Sequence, residues 1–124
     1  MKKLFLTFSL TAGILASTTI LAFATQGSTV NIISGGSSYH GAVDGSVNSN
    51  GCYAETKAHR DSGTDNTYAY VEIVNGGGYR IGSGAQSTGV DYACSPTLSH
   101  GDGHNAYGSI GNASGTIRAF CHLL

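Results

Sequence analysis

Three cysteines, at positions 52, 94 and 121, carry the most distinctive chemistry in this sequence. An odd count in an exported chain allows one disulfide and leaves one thiol over. Cys52 and Cys121 both fall on the small, apolar side of well-patterned strands, which favours a bond between them over the two alternative pairings. A disulfide stabilises a small domain by about 2–4 kcal/mol. We therefore predict a Cys52–Cys121 disulfide, with Cys94 either a free thiol or the site of an intermolecular disulfide.

Histidines near those cysteines offer a second kind of chemistry. His100 and His104 form an H-x3-H pair, and His122 directly follows Cys121. Zinc is bound by Cys and His at such short spacings, so these three histidines are candidate metal ligands. However, no C-x2-C pair accompanies them, and exported cysteines usually oxidise. The favoured interpretation is that the histidines are solvated loop residues, and we predict no cofactor.

Residue types that support catalysis are present but lack their usual setting. Cys94 has Asp91 and His100 nearby in the sequence, yet it precedes a Ser-Pro pair rather than the helix start that activates a thiolate. Glu55 and Glu72 are predicted on the outer faces of adjacent strands, where a facing pair of carboxylates would hydrolyse glycosides. Two solvated acids are the simpler interpretation. Because no serine-hydrolase elbow, P-loop or dinucleotide motif occurs, a binding role is favoured over an enzymatic one.

Aromatic side chains on the predicted water-facing sides of three strands form a candidate binding surface. Tyrosine offers a rigid ring with a polar tip, which suits recognition, and flat aromatic patches on sheets stack on sugar rings. The competing interpretation is that tyrosine simply covers a sheet face through cross-strand pairs. The predicted surface comprises Tyr53, Tyr68, Tyr70, Arg118 and Phe120, with Lys57 nearby.

β-Strands must position these groups, because no segment after residue 24 carries the i, i+3, i+4 apolar pattern of a helix. Three segments alternate small or apolar residues with charged or aromatic ones: Cys52–His59, Thr67–Val74 and Thr116–Leu123. Such alternation predicts a sheet with one buried and one solvated face. Every charged residue of these strands is therefore expected to point to water.

Weaker strand signals surround these segments. Residues 28–34 predict a first strand, and residues 35–51 predict a long polar loop in which residues 39–47 pair at most as an edge strand. Shorter strand candidates are 78–82, 88–94 and 105–110. Strands at this spacing with polar turns are typical of an all-β, small antiparallel two-sheet β-sandwich, which we predict, with a small β-barrel or a β-helix as alternatives. An up-and-down order of the strands after residue 51 would bring all three sulfurs to one end.

The first 24 residues have the three parts of a short, bacterial-style secretory signal peptide. The chain begins Met-Lys-Lys, an apolar run extends from Leu4 to Leu21, and residues 22–24 (Ala-Phe-Ala) match the small-x-small cleavage pattern. A membrane anchor is disfavoured because polar residues interrupt the run and no basic cluster follows it. The predicted organisation is a signal peptide at 1–24 and one mature domain, divided into an N-terminal strand and loop at 25–50 and a sandwich core at 51–124.

Charge excludes two classes of partner. Without the signal peptide, the chain keeps four basic residues against seven acidic ones. It therefore lacks the basic face that nucleic-acid binding needs, and anionic membranes repel it. With no membrane span after cleavage, the mature protein is predicted to be secreted and extracellular.

These features predict a small, non-enzymatic secreted protein that binds an extracellular or cell-envelope partner, either a glycan or a protein. A secreted antimicrobial, bacteriocin-like effector is the first alternative, because short exported chains rich in Gly and Tyr have this outline. A small cell-wall-active hydrolase that uses Cys94 or paired acids is the second. The sequence leaves the oligomeric state open.

Overall fold

The structure, a computed structural model, describes residues 25–34, 36–114 and 118–124 of the 124-residue chain. Regular structure in these residues is entirely β, so this part of the chain has no helix that would reach across a membrane. The predicted signal peptide and Ile117 lie outside the described residues. The strands are β1 (Thr25–Gln26), β2 (Val30–Ser34), β3 (Ser37–Asn48), β4 (Gly51–Ser62), β5 (Thr67–Val74), β6 (Ala85–Gly89), β7 (Tyr92–Cys94), β8 (Leu98–His100), β9 (Asn105–Asn112) and β10 (Arg118–His122).

The strands form two antiparallel sheets. In sheet A, the long strands β3 and β4 pair at the centre, β1 and β2 pair with β3 on one side, and β7 and β8 pair with β4 on the other. Sheet B has the order β10-β9-β5-β6. The sheets pack against each other, with β9 opposite β3 and β4 and with β5 opposite β4. This arrangement is consistent with the predicted β-sandwich.

Alternation of side chains along β4 and β5 builds the layer between the sheets. Inward residues are buried and most outward residues keep some exposure, as a period of two requires. The buried inward residues are Cys52, Ala54, Thr56, Ala58, Ala69, Val71 and Ile73. The outward residues include Glu55, Lys57, His59, Tyr70 and Glu72. The prediction that the charged residues of these two strands point to water is therefore confirmed.

Small residues let the two sheets approach closely. Gly108 on β9 faces sheet A, and a methyl group on it would overlap Thr56 Oγ1 and lie 2.8 Å from Val43 Cγ2. Packed protein interiors leave no room for such an overlap, so this position requires glycine. Val71 and Ile73 fill the core cluster that also contains Val43.

The prediction of a loop at 35–51 is wrong over most of its length, because this segment contains β3, a central strand of sheet A. Its inward positions include Tyr39, Gly41 and Val43, which are all buried. A methyl group on Gly41 would lie 2.9 Å from Ile110 Cγ2. The low apolar content of the strand thus reflects the small space between the sheets and not exposure to solvent.

The chain also departs from the predicted up-and-down order. The segment predicted as one strand at 88–94 turns at Val90 and Asp91, so that β6 belongs to sheet B and β7 to sheet A. The candidate strand at 78–82 forms an isolated bridge between Arg80 and Val74 instead. Consequently β4 is flanked by β3, β7 and β8, whereas β5 lies in the opposite sheet. β4 and β5, although neighbours in the sequence, therefore present their outward residues on opposite sides of the molecule.

Candidate functional site

The three cysteines are all free thiols, so the predicted Cys52–Cys121 disulfide is absent from the structure. Both residues are buried in one core cluster between the sheets. However, Cys52 lies on β4, whereas β10, which carries Cys121, packs opposite β2 and β3. The two strands are therefore offset across the core. Burial raises the pKa of each thiol to about 11, so both are protonated at neutral pH.

Cys94 lies apart from the other cysteines, on the outer face of sheet A. Its thiol donates to Glu55 Oε2 at a distance of 2.6 Å. Burial, followed by the hydrogen bond to the Glu55 carboxylate, raises the pKa of Cys94 to about 11. A nucleophilic cysteine needs the opposite shift. At neutral pH this thiol is a hydrogen-bond donor, and the predicted gathering of three sulfurs at one end of the domain is wrong.

The histidines predicted as metal ligands are dispersed. His100 lies on β8, where its ring approaches Gly82. His104 is exposed in the link before β9, and His122 packs its ring edge-on against Tyr107 on sheet B. Among the described residues, no group of three or more His, Cys, Asp or Glu side chains is placed to hold a metal ion. The zinc hypothesis therefore has no support in the structure.

The outer face of sheet B carries a groove of about 380 Å³, which we call the aromatic groove. Ser109 on β9 pairs with Phe120 of β10 on one side and with Tyr70 of β5 on the other. A small residue between two aromatic ones leaves a depression with rings as its walls. The groove is lined by Tyr68, Tyr70, Glu72, Tyr107, Ser109, Arg118 and Phe120.

Two rings of the aromatic groove are open to solvent. Phe120 is 79% exposed and Tyr107 is 40% exposed. Single exposed apolar residues are common, but adjacent exposed rings beside a depression are typical of a contact surface. These two rings are therefore the part of this face that most resembles a contact surface.

Arg118 closes one end of the aromatic groove. Arg118 and Tyr68 both pair with Gly111, which has no side chain between them. The guanidinium therefore reaches across and lies 3.4 Å from the centroid of the Tyr68 ring, in a cation–π contact. The Tyr68 hydroxyl donates to Gln86 Oε1 at 3.0 Å. Contrary to the prediction of an exposed ring, Tyr68 is buried, with 6% of its surface exposed.

Glu72 closes the other end of the aromatic groove. The Tyr70 hydroxyl donates to Glu72 Oε1 at 2.9 Å. Burial, and then this hydrogen bond, raises the pKa of Tyr70, while Arg80 interacts with the same hydroxyl and opposes the shift. Gly84 accommodates the ring, because a methyl group there would overlap the Tyr70 hydroxyl. Ring and carboxylate are thus held in one arrangement by contacts within the protein.

The structure divides the predicted binding surface between two faces. Four of its members line the aromatic groove, but Tyr53 and Lys57 lie on β4, on the outer face of sheet A. Glu55 on β4 and Glu72 on β5 are separated in the same way. The prediction that these two acids lie on adjacent strands is therefore wrong, and they do not form a catalytic pair.

Tyr107 and Ser109 belong to the aromatic groove although the predicted surface omits them. The available signal was the alternation of Tyr107 and Ser109 with Ala106 and Gly108 in the candidate strand 105–110. That alternation fixes the outward direction of the side chains. It does not reveal that β9 lies between β5 and β10, because strands distant in the sequence leave no local trace of their pairing.

The outer face of sheet A carries a different set of groups, which we call the polar ladder. The rings of His40 and His59 stack with centroids 5.0 Å apart, and His59 lies 4.7 Å from the ring of Tyr92. His40 Nδ1 lies 2.7 Å from Asp61 Oδ1. The ladder comprises His40, Asp44, Glu55, Lys57, His59, Asp61, Tyr92 and Cys94. Its side chains mostly interact with one another.

Comparisons of the chain with models of protein families, with curated proteins and with solved structures found no match. The geometry of this chain is therefore the basis for any functional proposal.

Proposed function

We propose that this chain is an exported, non-enzymatic protein whose aromatic groove binds a carbohydrate of an extracellular or cell-envelope partner. The observation that carries the proposal is the pair of exposed rings, Phe120 and Tyr107, beside the small Ser109. A sugar ring has an apolar face of C–H groups and a rim of hydroxyls. Its apolar face packs on an aromatic ring, and burying both surfaces removes apolar area from water.

The polar groups of the groove suit the rim of such a ligand. Arg118 supplies donors at one end and Glu72 supplies acceptors at the other, with the small, buried Ser109 forming the floor between them. Binding pockets typically combine apolar walls with a few fixed polar groups in a volume of about 300–1,000 Å³. Glu72 lies four positions after Tyr68 along β5, which corresponds to about 13 Å. The groove is therefore long enough for more than one sugar ring.

The test is binding of the chain that begins at Thr25 to an array of extracellular and cell-wall glycans, followed by calorimetry with the strongest binder. Phe120→Ala removes the most exposed wall of the groove. We expect it to weaken binding at least about tenfold, equivalent to about 1.4 kcal/mol. The matched control is Tyr79→Ala, which removes a tyrosine that is 74% exposed but lies outside the groove.

The control variant should bind within twofold of the unsubstituted chain. An array without any bound glycan, or equal affinity of the Phe120→Ala and unsubstituted chains, contradicts the proposal. Recovery of the glycan at unchanged mass after prolonged incubation tests the non-enzymatic part, since a hydrolase would shorten it.

Export is tested separately by the intact mass of the protein in the culture medium. A mass that corresponds to a chain starting at Thr25 supports cleavage after Ala24. A protein retained in cells at its full mass contradicts export but leaves the groove available for the binding test.

A further inference from the structure

Asp44 is a buried carboxylate with only half of its hydrogen-bonding capacity used. The residue is 8% exposed, although it lies on the outer face of sheet A. Its Oδ2 lies 3.1 Å from Lys57 Nζ. Its Oδ1 is buried and has no hydrogen-bond partner. Buried acceptors in folded proteins are nearly always paired, so this oxygen calls for a donor.

The strand beside Asp44 is β1, which contains Thr25, the residue that follows the predicted cleavage point. Gln26 pairs with Asp44, and Thr25 pairs with Gly45. Gly27 N donates to Val43 O at 2.7 Å, which makes Gln26 and Asp44 a non-hydrogen-bonded pair in the antiparallel ladder. The alternation of the ladder then makes Thr25 and Gly45 a hydrogen-bonded pair, in which the Thr25 nitrogen points to the Gly45 carbonyl, one residue along β3 from Asp44.

We infer that cleavage after Ala24 creates the missing partner of Asp44, namely the α-ammonium group of Thr25. Hydrolysis breaks the C–N bond between Ala24 and Thr25. Water supplies a hydroxyl to the Ala24 carbonyl carbon and a hydrogen to the Thr25 nitrogen, which takes up a further proton from solvent. The new group carries a positive charge and three donors, whereas the uncut peptide nitrogen carries no charge and one donor. The inference rests on the export part of the proposed function.

The charges that face Asp44 favour an added cation. Glu55 on β4 is its direct cross-strand partner, and like charges in this position destabilise a sheet. Lys57 interacts with both carboxylates. The α-ammonium group brings a second positive charge to this pair of acids. Cleavage thereby fastens β1 to the edge of sheet A, so that removal of the leader also completes the fold.

The experiment compares two forms of the N terminus, each in the otherwise unsubstituted chain and in the Asp44→Asn variant. One chain begins at Thr25 with a free amine, and the other is the same chain acetylated at that amine. We expect acetylation to lower the Tm by roughly 4–8 °C and to speed hydrogen exchange at the Gly45 amide. In Asp44→Asn, acetylation should change the Tm by less than about a quarter of that amount. Asp61→Asn, which alters another acid of sheet A, should leave the effect of acetylation unchanged.

Equal Tm and equal exchange at Gly45 for the free and acetylated chains would overturn the inference. So would an effect of acetylation that persists in Asp44→Asn. If Asp44→Asn fails to fold, the free and acetylated forms of the unsubstituted chain still test the inference. Acetylation must then change hydrogen exchange at the Gly45 amide and not at the Ser109 amide on the opposite sheet. Chains made directly from Thr25 allow this test even if cells do not cleave there, and glycan binding should not depend on the acetyl group.

Discussion

The two outer faces of this protein are built on equally regular strands but differ in what their side chains do. On the polar ladder of sheet A, most groups interact with one another: His40 with Asp61, Lys57 with Asp44, and the Cys94 thiol with its neighbouring carboxylate. On the aromatic groove of sheet B, polar groups lie at the two ends and apolar rings remain exposed between them.

This difference indicates which face gains more from a ligand. A ligand on the polar ladder must replace hydrogen bonds and ion pairs that already exist, so its net gain is small. A ligand on the aromatic groove covers exposed rings, and each square ångström of apolar surface removed from water contributes about 25 cal/mol. The proposed binding is therefore assigned to sheet B because apolar rings are left exposed there, and not because sheet A lacks polar chemistry.

The largest expected effect comes from the layer that both faces share. Gly108→Ala adds a methyl group that overlaps Thr56 Oγ1 and crowds Val43. Overpacking of this kind typically costs about 1–3 kcal/mol. We expect the free energy of unfolding, measured in urea, to fall by about 1–3 kcal/mol. Glycan binding should decrease in proportion to the unfolded fraction.

The control for this prediction is Gly101→Ala, because nothing lies within 4 Å of the methyl group that it adds. It should change the free energy of unfolding by less than about 0.5 kcal/mol. If Gly108→Ala abolished binding without loss of stability, the shared layer would not be what supports the groove.

The next largest effect is alkaline destabilisation through the buried thiols. Burial raises the pKa of Cys52 and Cys121 from 9.0 to about 11. The folded state therefore retains protons that the unfolded state has lost. This contribution to stability is fully present below pH 9 and disappears as the pH rises to about 11. In reducing buffer, the Tm should be level between pH 7 and 8.5 and should fall steadily above pH 9.

A Cys52→Ala/Cys121→Ala variant separates these thiols from other groups that titrate at alkaline pH. Its Tm should fall by less than half as much over the same pH range. An identical decline in both proteins would show that the alkaline effect arises elsewhere, for example on the polar ladder.

Much of the fold could be predicted from local alternation. The residues of β4 and β5 that point inward were predictable because one buried face imposes a period of two on each strand. β3 was not predictable in the same way, since its glycines keep the sheets close and leave it with the composition of a loop. The pairing order was also inaccessible, because β9 joins β5 to β10 across more than thirty residues and a local pattern does not record such contacts.

The candidate site was predictable to the same extent: the outward direction of its side chains, but not their grouping on one face. The alternation of side chains identified Tyr70, Phe120 and Arg118 as outward-facing, and these three residues do meet on one face. It also assigned Tyr53 to the predicted surface, because alternation distinguishes inward from outward positions but does not tell which sheet a strand joins. The exposure of individual rings was beyond reach, since Tyr68 is covered by a guanidinium from a strand fifty residues later.

Replacing the guanidinium at the end of the groove should affect sheet B alone. Arg118→Ala removes the cation–π contact with Tyr68, which is worth about 0.5–2 kcal/mol. We expect the free energy of unfolding to fall within that range and the Tyr68 ring signals in NMR spectra to shift. The ring stacking of His40 and His59 on sheet A should be unaffected, as judged by their own ring signals. Shifts of equal size on both faces would contradict the separation of the two surfaces.

The smallest expected effect is on the polar ladder. Asp61→Asn removes the carboxylate that lies 2.7 Å from His40 Nδ1, but both side chains are about 40% exposed or more. Exposed pairs of this kind contribute about 0.2–1 kcal/mol, and salt screens them. The free energy of unfolding should therefore fall by less than 1 kcal/mol. The control is Asp102→Asn, which changes an exposed acid in the turn after β8. In 1 M NaCl the two variants should lose about the same free energy of unfolding, because salt screens the pair.

Glycan affinity of Asp61→Asn should stay within twofold of the unsubstituted chain, because this change lies on the opposite sheet. A tenfold loss of glycan affinity in Asp61→Asn at unchanged stability would indicate that the binding site lies on the polar ladder and not in the aromatic groove. It would also contradict the distinction between the two faces.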